Sequence, residues 1–364
     1  MRHRPVKLIL IAASGLAITA LSPVSAAVFT VSIAMGWLLR DRGRRGHTVL
    51  ILGHLLAIAA LRSVGIGIGL GALLLQQLVW VGLDDRRHVG LIDYVLSLVF
   101  LPRALAGPVW ADLSRVRTAM DPTGWRLVFL GLFEKLVIAD SFAWVADPIF
   151  DGHGPVGLFP AATGLIAFAV QVLFDLAALY HLAGGLGRIL GFPLPDGPGR
   201  PFSAPTPGGF WTAWHPSLAR TLRSPIGLVL WHSLGPMLAL AALTQVAWIG
   251  LGSRLVGRFP RAVRLATPLL ALHGLMLARS PSLQRAVFLQ DGLLGQFGLG
   301  PIDGGPLLAL LIGVMLLGIG PLRETWVFST QTPSRPLARV GMGLGIAAIM
   351  ACISQARPFL YPSF

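Results

Sequence analysis

Charged residues are scarce in this chain of 364 residues, because Asp, Glu, Lys and Arg together make up only 12% of it. An average soluble domain contains about 25% charged residues, and a chain with so few cannot cover a water-facing surface with polar groups. Hydrophobic residues account for 54% of the sequence. The composition excludes an ordinary soluble enzyme and a disordered chain, and it predicts a membrane protein with several spans.

Cysteine is almost absent as well, since Cys352 is the only one. A single cysteine excludes an intrachain disulfide and a cysteine-ligated metal cluster. The histidines show no HxxxH or HxxE spacing, so we expect no metal site. The sequence also lacks a repeat of fixed period and the strand alternation of a membrane barrel. What remains is a helical bundle, and we expect residues 1–364 to form a single membrane domain.

Acidic residues are few: 15 Asp and Glu stand against 29 Lys and Arg, and the formal net charge is +14. The arginines form short groups between apolar runs, which is typical of anchors at an anionic membrane face. Nucleic-acid binding would need an exposed basic face. We therefore expect the lipid bilayer to be a partner and nucleic acid not to be one. One such group contains Arg254, Arg258, Arg261 and Arg264.

The N-terminal residues 1–47 admit two interpretations. A basic start, an apolar core from Leu8 to Leu21 and small residues at 24–26 resemble a cleaved signal peptide. Apolar sequence resumes at once, however, and runs to Leu39 before a second basic group. Pro23 would break a helix between the two apolar halves, and basic residues at both ends are typical of a membrane hairpin with cytoplasmic ends. We favour the uncleaved hairpin.

Apolar segments recur along the rest of the chain, and the last three comprise residues 265–278, 306–322 and 340–356. Together with the N-terminal hairpin they predict an all-α membrane protein with about ten transmembrane helices around a polar funnel. Residues 111–124 are amphipathic and are predicted to lie along the membrane interface or in a cytoplasmic loop. The stretch from Phe192 to Gly209 is rich in proline and glycine, which predicts a long irregular loop. We expect that loop to pack near the site.

Ionisable side chains inside apolar segments are costly and usually face an interior cavity. Glu134 and Lys135 are adjacent and would project about 100° apart on a helix, so we interpret them as a helix end at the interface. For Asp175, the sequence leaves a role in packing and a role in function equally open. The ionisable residues within or beside apolar segments are Glu134, Lys135, Asp140, Asp175, His181, His215, His232 and His273.

Two histidines of this set each follow a tryptophan: His215 follows Trp214, and His232 follows Trp231 in a charge-free stretch. A neutral imidazole is the least costly general base to bury, because desolvation lowers its pKa and keeps it unprotonated. Such a base could take the proton from an attacking hydroxyl group. The alternative is an ordinary core histidine, and the residues alone leave both interpretations open.

Six segments in chain order are similar to motifs of one protein family. Gly131 to Asp140, GLFEKLVIAD, resembles GLFKKVVIAD, and Trp214 to Leu218, WHPSL, resembles WHISLS. These are motifs of the membrane-bound O-acyltransferases, and the chain is most similar to their bacterial alginate O-acetylase branch. The similarity extends from about residue 65 to 364. The six segments are 100–108, 131–140, 171–192, 200–218, 279–283 and 357–362.

The resemblance implies that an activated acyl group meets a hydroxyl acceptor in a tunnel through the membrane. It implies that His232, in a counterpart of the family's LWHG motif, is the catalytic base and that His215 orients it or the acceptor. Arg220 and Arg223 would meet phosphates of the donor or act as snorkelling anchors. The substrate-binding candidates are Asp175, Arg220, Arg223, Trp214 and Trp231.

The implied partners are an acyl donor such as acetyl-CoA, bound as a substrate with no permanent cofactor, and a polysaccharide acceptor or a periplasmic acetyltransferase. The implied location is the bacterial inner membrane, with several spans. The chain departs from the family pattern at residues 176–181, which lack a polar Ser-Gly-Tyr-Ser-Asp run, and at Ser224, where the family has an aspartate. An alignment that places Ala247 to Gly250 on LWHG would leave no catalytic histidine.

These departures support a second hypothesis, a non-catalytic membrane scaffold or acyl-carrying protein on the same fold. A solute transporter would need inverted repeats with broken helices in both halves. The sequence does not contain them.

Overall fold

The structure is a computed structural model that describes residues 7–9, 11–14, 23–38, 90–100, 121, 123–192, 194, 197–217, 219, 236–323 and 335–358. Within these ranges every regular element is helical and no strand occurs, which confirms the predicted all-α class. One helix, Leu158–Ile189, is long and apolar enough to cross a membrane. The larger number of spans stays a prediction.

The helices are labelled in chain order. They are α1 Pro23–Leu38, α2 Leu91–Val99, α3 Gly124–Phe133, α4 Asp140–Asp151, α5 Leu158–Ile189, α6 Pro207–Trp214, α7 Pro236–Leu255, α8 Pro260–Arg279, α9 Leu283–Leu293, α10 Gly304–Ile319 and α11 Arg335–Cys352. A π-helical turn, Glu134–Ala139, joins α3 to α4, and short 3₁₀ segments occupy Pro201–Ser203 and Ile353–Gln355. The apolar segments 265–278, 306–322 and 340–356 each coincide largely with one helix, namely α8, α10 and α11.

Helix α5 is the longest, with 32 residues. In the most apolar part of this helix, 89% of the sequence is buried inside the protein. The helix ends at Ile189, and two residues later Gly191 has a φ of 81°, a backbone conformation that glycine adopts at no steric cost. There the N–H of Phe192 donates to the carbonyl of Gly187, and that of Gly191 donates to the carbonyl of Arg188. This pair of bonds is a Schellman motif, which satisfies carbonyls at a helix end.

The described chain divides into two compact units, the first of which comprises residues 1–128, 179–196 and 359–364. Its small core joins Leu96 and Phe100 to Phe192, and the rings of Phe100 and Phe192 lie 5.1 Å apart. The start of α3 crosses the end of α5 at two glycines. A Cβ on Gly185 would lie 2.6 Å from the carbonyl oxygen of Gly124, so only glycine permits this approach.

The second unit comprises residues 129–178 and 197–358. Helices α7 and α8 form an antiparallel hairpin in it, joined by a short turn. Near the middle of the hairpin, Gln245 Nε2 donates to the carbonyl of Leu270 at 2.6 Å. A Cβ on Gly274 would lie 2.9 Å from Gln245 Cδ. A small residue beside a polar one is a common way for apolar helices to pack closely.

The proline-rich stretch from Phe192 to Gly209 is less irregular than predicted. It contains the 3₁₀ segment Pro201–Ser203, and α6 already begins at Pro207. Thr206 caps α6, because its Oγ1 accepts a hydrogen bond from the N–H of Gly209 at 3.1 Å. Proline suits the first turn of a helix, where its missing N–H would have no intrahelical partner. The expectation of an irregular loop is therefore wrong for its last residues.

Candidate functional site

The π-helical turn between α3 and α4 carries charged side chains into the interior of the second unit. Glu134 is 0% exposed and Lys135 is 5% exposed. The interpretation of these residues as a helix end at the interface is therefore wrong. The helix continues through them, and the N–H of Asp140 donates to the carbonyl of Lys135, a bond across five residues that defines the π turn. Such turns occur frequently at functional sites.

Lys135 lies at the centre of a buried ion cluster. Its Nζ donates to Asp140 Oδ1 at 2.7 Å, to Asp175 Oδ1 at 2.9 Å and to the carbonyl of Pro358 at 3.1 Å. An ammonium group has three N–H donors, so these three acceptors match its capacity. We call Lys135, Asp140 and Asp175 the ion centre. The two carboxylates offset the charge of the lysine, which on its own would be costly to bury.

Two backbone segments from the C-terminal part of the chain are bound to the same turn. The N–H of Leu322, after α10, donates to Glu134 Oε1 at 2.8 Å. The N–H of Arg357, after α11, donates to Asp140 Oδ2 at 3.0 Å. Hydrogen bonds to ionised acceptors are stronger than neutral ones. The π turn thus holds the chain that follows two different helices.

A second group of charges surrounds α4 and is partly exposed. Arg279 binds Asp151 through both nitrogens of its fork, at 2.9 and 3.1 Å, and binds Asp147 at 2.8 Å. Its guanidinium also lies 5.4 Å from the ring centre of Phe150. The side chain of Arg357 pairs with Asp147 too. Arginines of two separate sequence motifs therefore converge on one helix.

His215 is wholly buried at the end of α6. It is 0% exposed, Trp214 is 3% exposed, and Ser217 is 0% exposed. The N–H of His215 donates to the carbonyl of Trp211 at 3.2 Å, which makes the histidine the C-cap of the helix. Trp214 stacks on Phe210 with ring centres 5.5 Å apart. The backbone of His215 is thus held at the end of α6, next to a tryptophan that belongs to an aromatic cluster.

The segment before α6 is held against α6 and against the end of α10. The N–H of Gly199 donates to the carbonyl of Ala213 at 2.8 Å. Arg200 and Ser203 both donate to the carbonyl of Gly318, at 2.9 and 3.2 Å. The expectation that this stretch packs near the site at His232 stays a prediction, because His232 lies outside the described residues.

The predicted site residues fall into three groups. Asp175 belongs to the ion centre, and His215 and Trp214 belong to the aromatic surroundings of α6. The others, Arg220, Arg223, Trp231 and His232, lie outside the described residues, so their roles stay predictions. Sequence reasoning missed the pairing of Lys135 with Asp140 and Asp175, although their presence in apolar sequence was itself a signal.

Comparisons with known proteins bear on the identity of the chain. No family model matches it. It is 31% identical over 164 residues to a probable alginate O-acetylase of Pseudomonas syringae pv. tomato, a match that covers 43% of this chain and 32% of that protein. A probable alginate O-acetylase of Pseudomonas aeruginosa is 31% identical over 160 residues, which cover 42% of this chain and 30% of that protein.

A third relative is named for a different polymer. A peptidoglycan O-acetyltransferase of Helicobacter pylori is 29% identical over 143 residues, which cover 36% of this chain and 27% of that protein. The chain therefore spans roughly a third or less of the length of the curated relatives it matches.

Proposed function

We propose that the chain is an O-acyltransferase of the membrane-bound O-acyltransferase family, because it is similar over part of its length to proteins named for O-acetylation. The acceptor would be a hydroxyl group of an exported polysaccharide, and the transferred group would be acetyl. The observation that carries the proposal is that the relatives, although named for two different polymers, are all named for O-acetylation.

In the proposed reaction the acceptor hydroxyl oxygen attacks the carbonyl carbon of an acyl thioester such as acetyl-CoA. His232 takes the hydroxyl proton as the new C–O bond forms. The C–S bond then breaks, and the thiolate leaves and takes up the proton. Arg220 and Arg223 would bind the donor phosphates, and Trp231 would contact the acyl group or the acceptor.

His215 and Trp214 are proposed to orient His232 or the acceptor. The burial of His215 supports this role, because it keeps the imidazole out of bulk water inside the second unit. Its backbone is held as the C-cap of α6, directly after Trp214, which stacks on Phe210. Groups that position a catalytic base act best when their own side chains are fixed.

Asp175 is proposed to act through the ion centre. Its Oδ1 is committed to Lys135 in a buried ion pair, so a positioning role fits its surroundings better than direct contact with substrate. The ion centre joins α5 to the π turn and to the C-terminal segment at Pro358. It would keep the helices that line the reaction chamber in one arrangement.

The protein is proposed to be a multi-pass protein of the bacterial inner membrane. Helix α5 supports this location, and so do apolar side chains that face outwards on α10, where Leu308 is 59% exposed and Leu311 is 60% exposed. Such surfaces are unfavourable in water and favourable against acyl chains. A periplasmic acetyltransferase that receives the acyl group is a further proposed partner.

A non-catalytic scaffold or acyl-carrying protein is the second candidate. It is favoured by the residues after Asp175, because Leu176, Leu179 and Tyr180 are buried and largely apolar where the family has a polar run. Loss of polar groups from a chamber would weaken the binding of a hydroxylated acceptor.

The test is the acetyl content of exported polysaccharide from cells with and without the gene, together with acetyl transfer from labelled acetyl-CoA by the purified protein in proteoliposomes. The proposal expects loss of polymer acetylation without the gene and transfer by the purified protein. Unchanged acetylation would refute it. Loss of acetylation in cells, combined with no transfer by the purified protein alone or with a periplasmic acetyltransferase, would favour the scaffold.

A further inference from the structure

The turn between α7 and α8 concentrates exposed positive charge. Four arginines lie in the turn or in the adjoining helical turns, and all four are exposed: Arg254, Arg258, Arg261 and Arg264. The sequence contains no Asp or Glu between Asp196 and Asp291, so the hairpin supplies no counter-charge of its own. None of the ion pairs between described residues involves these four arginines.

Exposed apolar side chains lead up to the turn on both helices. On α7, Leu251 is 49% exposed and lies one turn before Arg254. On α8, Leu265 and Leu269 are 72% and 66% exposed, and they follow Arg261 at intervals of four residues. Residues three or four apart share one face of a helix. Each helix therefore presents an apolar stripe that ends in an arginine at the turn.

This order of side chains matches the depth profile of a lipid monolayer. At 1.5 Å per residue, Leu269 lies about 12 Å along the helix from Arg261, enough to separate a phosphate layer from acyl chains. Phe259 is 50% exposed at the turn, with the guanidinium of Arg258 5.4 Å from its ring centre. Phenylalanine and leucine are typical of the apolar face of segments that lie at the boundary between headgroups and acyl chains.

We propose that the α7–α8 turn is a binding surface for the phosphate headgroups of anionic phospholipids on the cytoplasmic face of the membrane. The inference rests on the membrane location in the proposed function. It does not depend on acyl transfer.

Two of the four arginines are not explained by helix stability, although Arg254, in the last turn of α7, does complement the dipole of its helix. Arg261 and Arg264 lie in the first two turns of α8, where the helix dipole is already positive and basic residues are unfavourable. A soluble phosphate compound would account for the charges but not for the apolar stripes beside them. An anionic lipid accounts for both, because its phosphate meets the arginines and its acyl chains meet the leucines.

Native mass spectrometry of the full-length protein tests this surface. The protein in detergent is given equal amounts of phosphatidylglycerol and phosphatidylcholine, and the bound lipids are counted. We expect the anionic lipid to be favoured by about tenfold or more, since each basic residue near an anionic surface adds measurable affinity. Replacing all four arginines by glutamine should bring the preference close to one, whereas replacing them by lysine should keep most of it.

Several outcomes would overturn the proposal. One is an unchanged lipid preference in the glutamine variant, provided that its thermal unfolding in detergent matches that of the wild type. Another is complete displacement of phosphatidylglycerol by inorganic pyrophosphate, which would identify a soluble phosphate compound as the ligand. Release of the wild-type protein from membranes by carbonate would instead contradict the membrane location on which the inference rests.

The side of the membrane is tested with one cysteine at the turn. A Cβ at Gly257 would meet no atom within 4 Å, so Gly257→Cys fits in a Cys352→Ser background. We expect a membrane-impermeant maleimide to label it in inside-out vesicles and not in intact spheroplasts. Labelling from the periplasmic side alone would refute the cytoplasmic placement.

Discussion

Lys135 and Asp175 lie 40 residues apart in the chain, and a 2.9 Å ion pair joins their side chains where they are only 6% and 1% exposed. The pair links the π turn to α5, the helix that is long and apolar enough to span a membrane. The lysine also donates to Asp140 and to the carbonyl of Pro358. One ammonium group thus connects three separate parts of the second unit.

Replacing Lys135 by methionine should strongly destabilise the protein. The change leaves Asp140 and Asp175 buried without their cation, and breaking a buried ion pair in this way costs about 3–5 kcal/mol. Thermal or denaturant unfolding in detergent measures the loss. Lys7→Met is the matched control, because it removes a partly exposed pair with Asp93, where a loss of up to about 1 kcal/mol is expected. Equal, small losses in both variants would contradict a structural role for the ion centre.

Two substitutions at Asp175 separate a positioning role from a charge-based role in substrate binding. Asp175→Asn keeps an oxygen that can accept from Lys135, whereas Asp175→Leu does not. If Asp175 positions the helices, the asparagine variant should lose less than about tenfold in acetyl transfer, the scale of one weakened hydrogen bond. The leucine variant should lose activity together with thermal stability. Equal loss of activity in both variants, with stability retained by the asparagine variant, would point to direct contact with substrate.

The pairing of side chains in the ion centre could not be predicted from the sequence. On a regular α-helix, residues 135 and 140 project about 140° apart, so their spacing gave no reason to pair them. The π turn brings them together, and neither composition nor hydropathy marks such a turn. The side chain of Asp175 then joins them across 40 positions, a contact that depends on tertiary packing.

Other features followed from the sequence because their physical cause is local. The all-α class and the helices α8, α10 and α11 coincide with apolar segments. The burial of His215 follows from an aromatic-rich, charge-free surrounding. By contrast, α6 begins inside the predicted loop, because a threonine cap and a proline in the first turn outweigh the two glycines that follow.

Replacing Arg279 by alanine or by lysine should lower the stability of the protein. Its fork binds both oxygens of Asp151 and also reaches Asp147, a geometry that a single ammonium group cannot reproduce. We expect losses of about 1–3 kcal/mol for the alanine variant and a partial loss for lysine, measured by unfolding in detergent. Arg264→Ala, at an exposed site, is the control and should cause no loss of stability. Full stability of Arg279→Lys would show that charge alone is enough.

His232 should be essential for acyl transfer, and His273 should not. If His232 is the base that takes the acceptor proton, His232→Ala removes a contribution of about 100-fold or more, while insertion and thermal stability remain. His273 lies within α8 and outside every family motif, so His273→Ala is the matched control and should stay close to wild type. Acetyl transfer from labelled acetyl-CoA and the acetyl content of exported polysaccharide provide two independent measurements. Wild-type activity in His232→Ala would contradict the catalytic interpretation, because deletion of a general base lowers the reaction rate. A scaffold that supports acetylation by a partner enzyme would then be the better explanation.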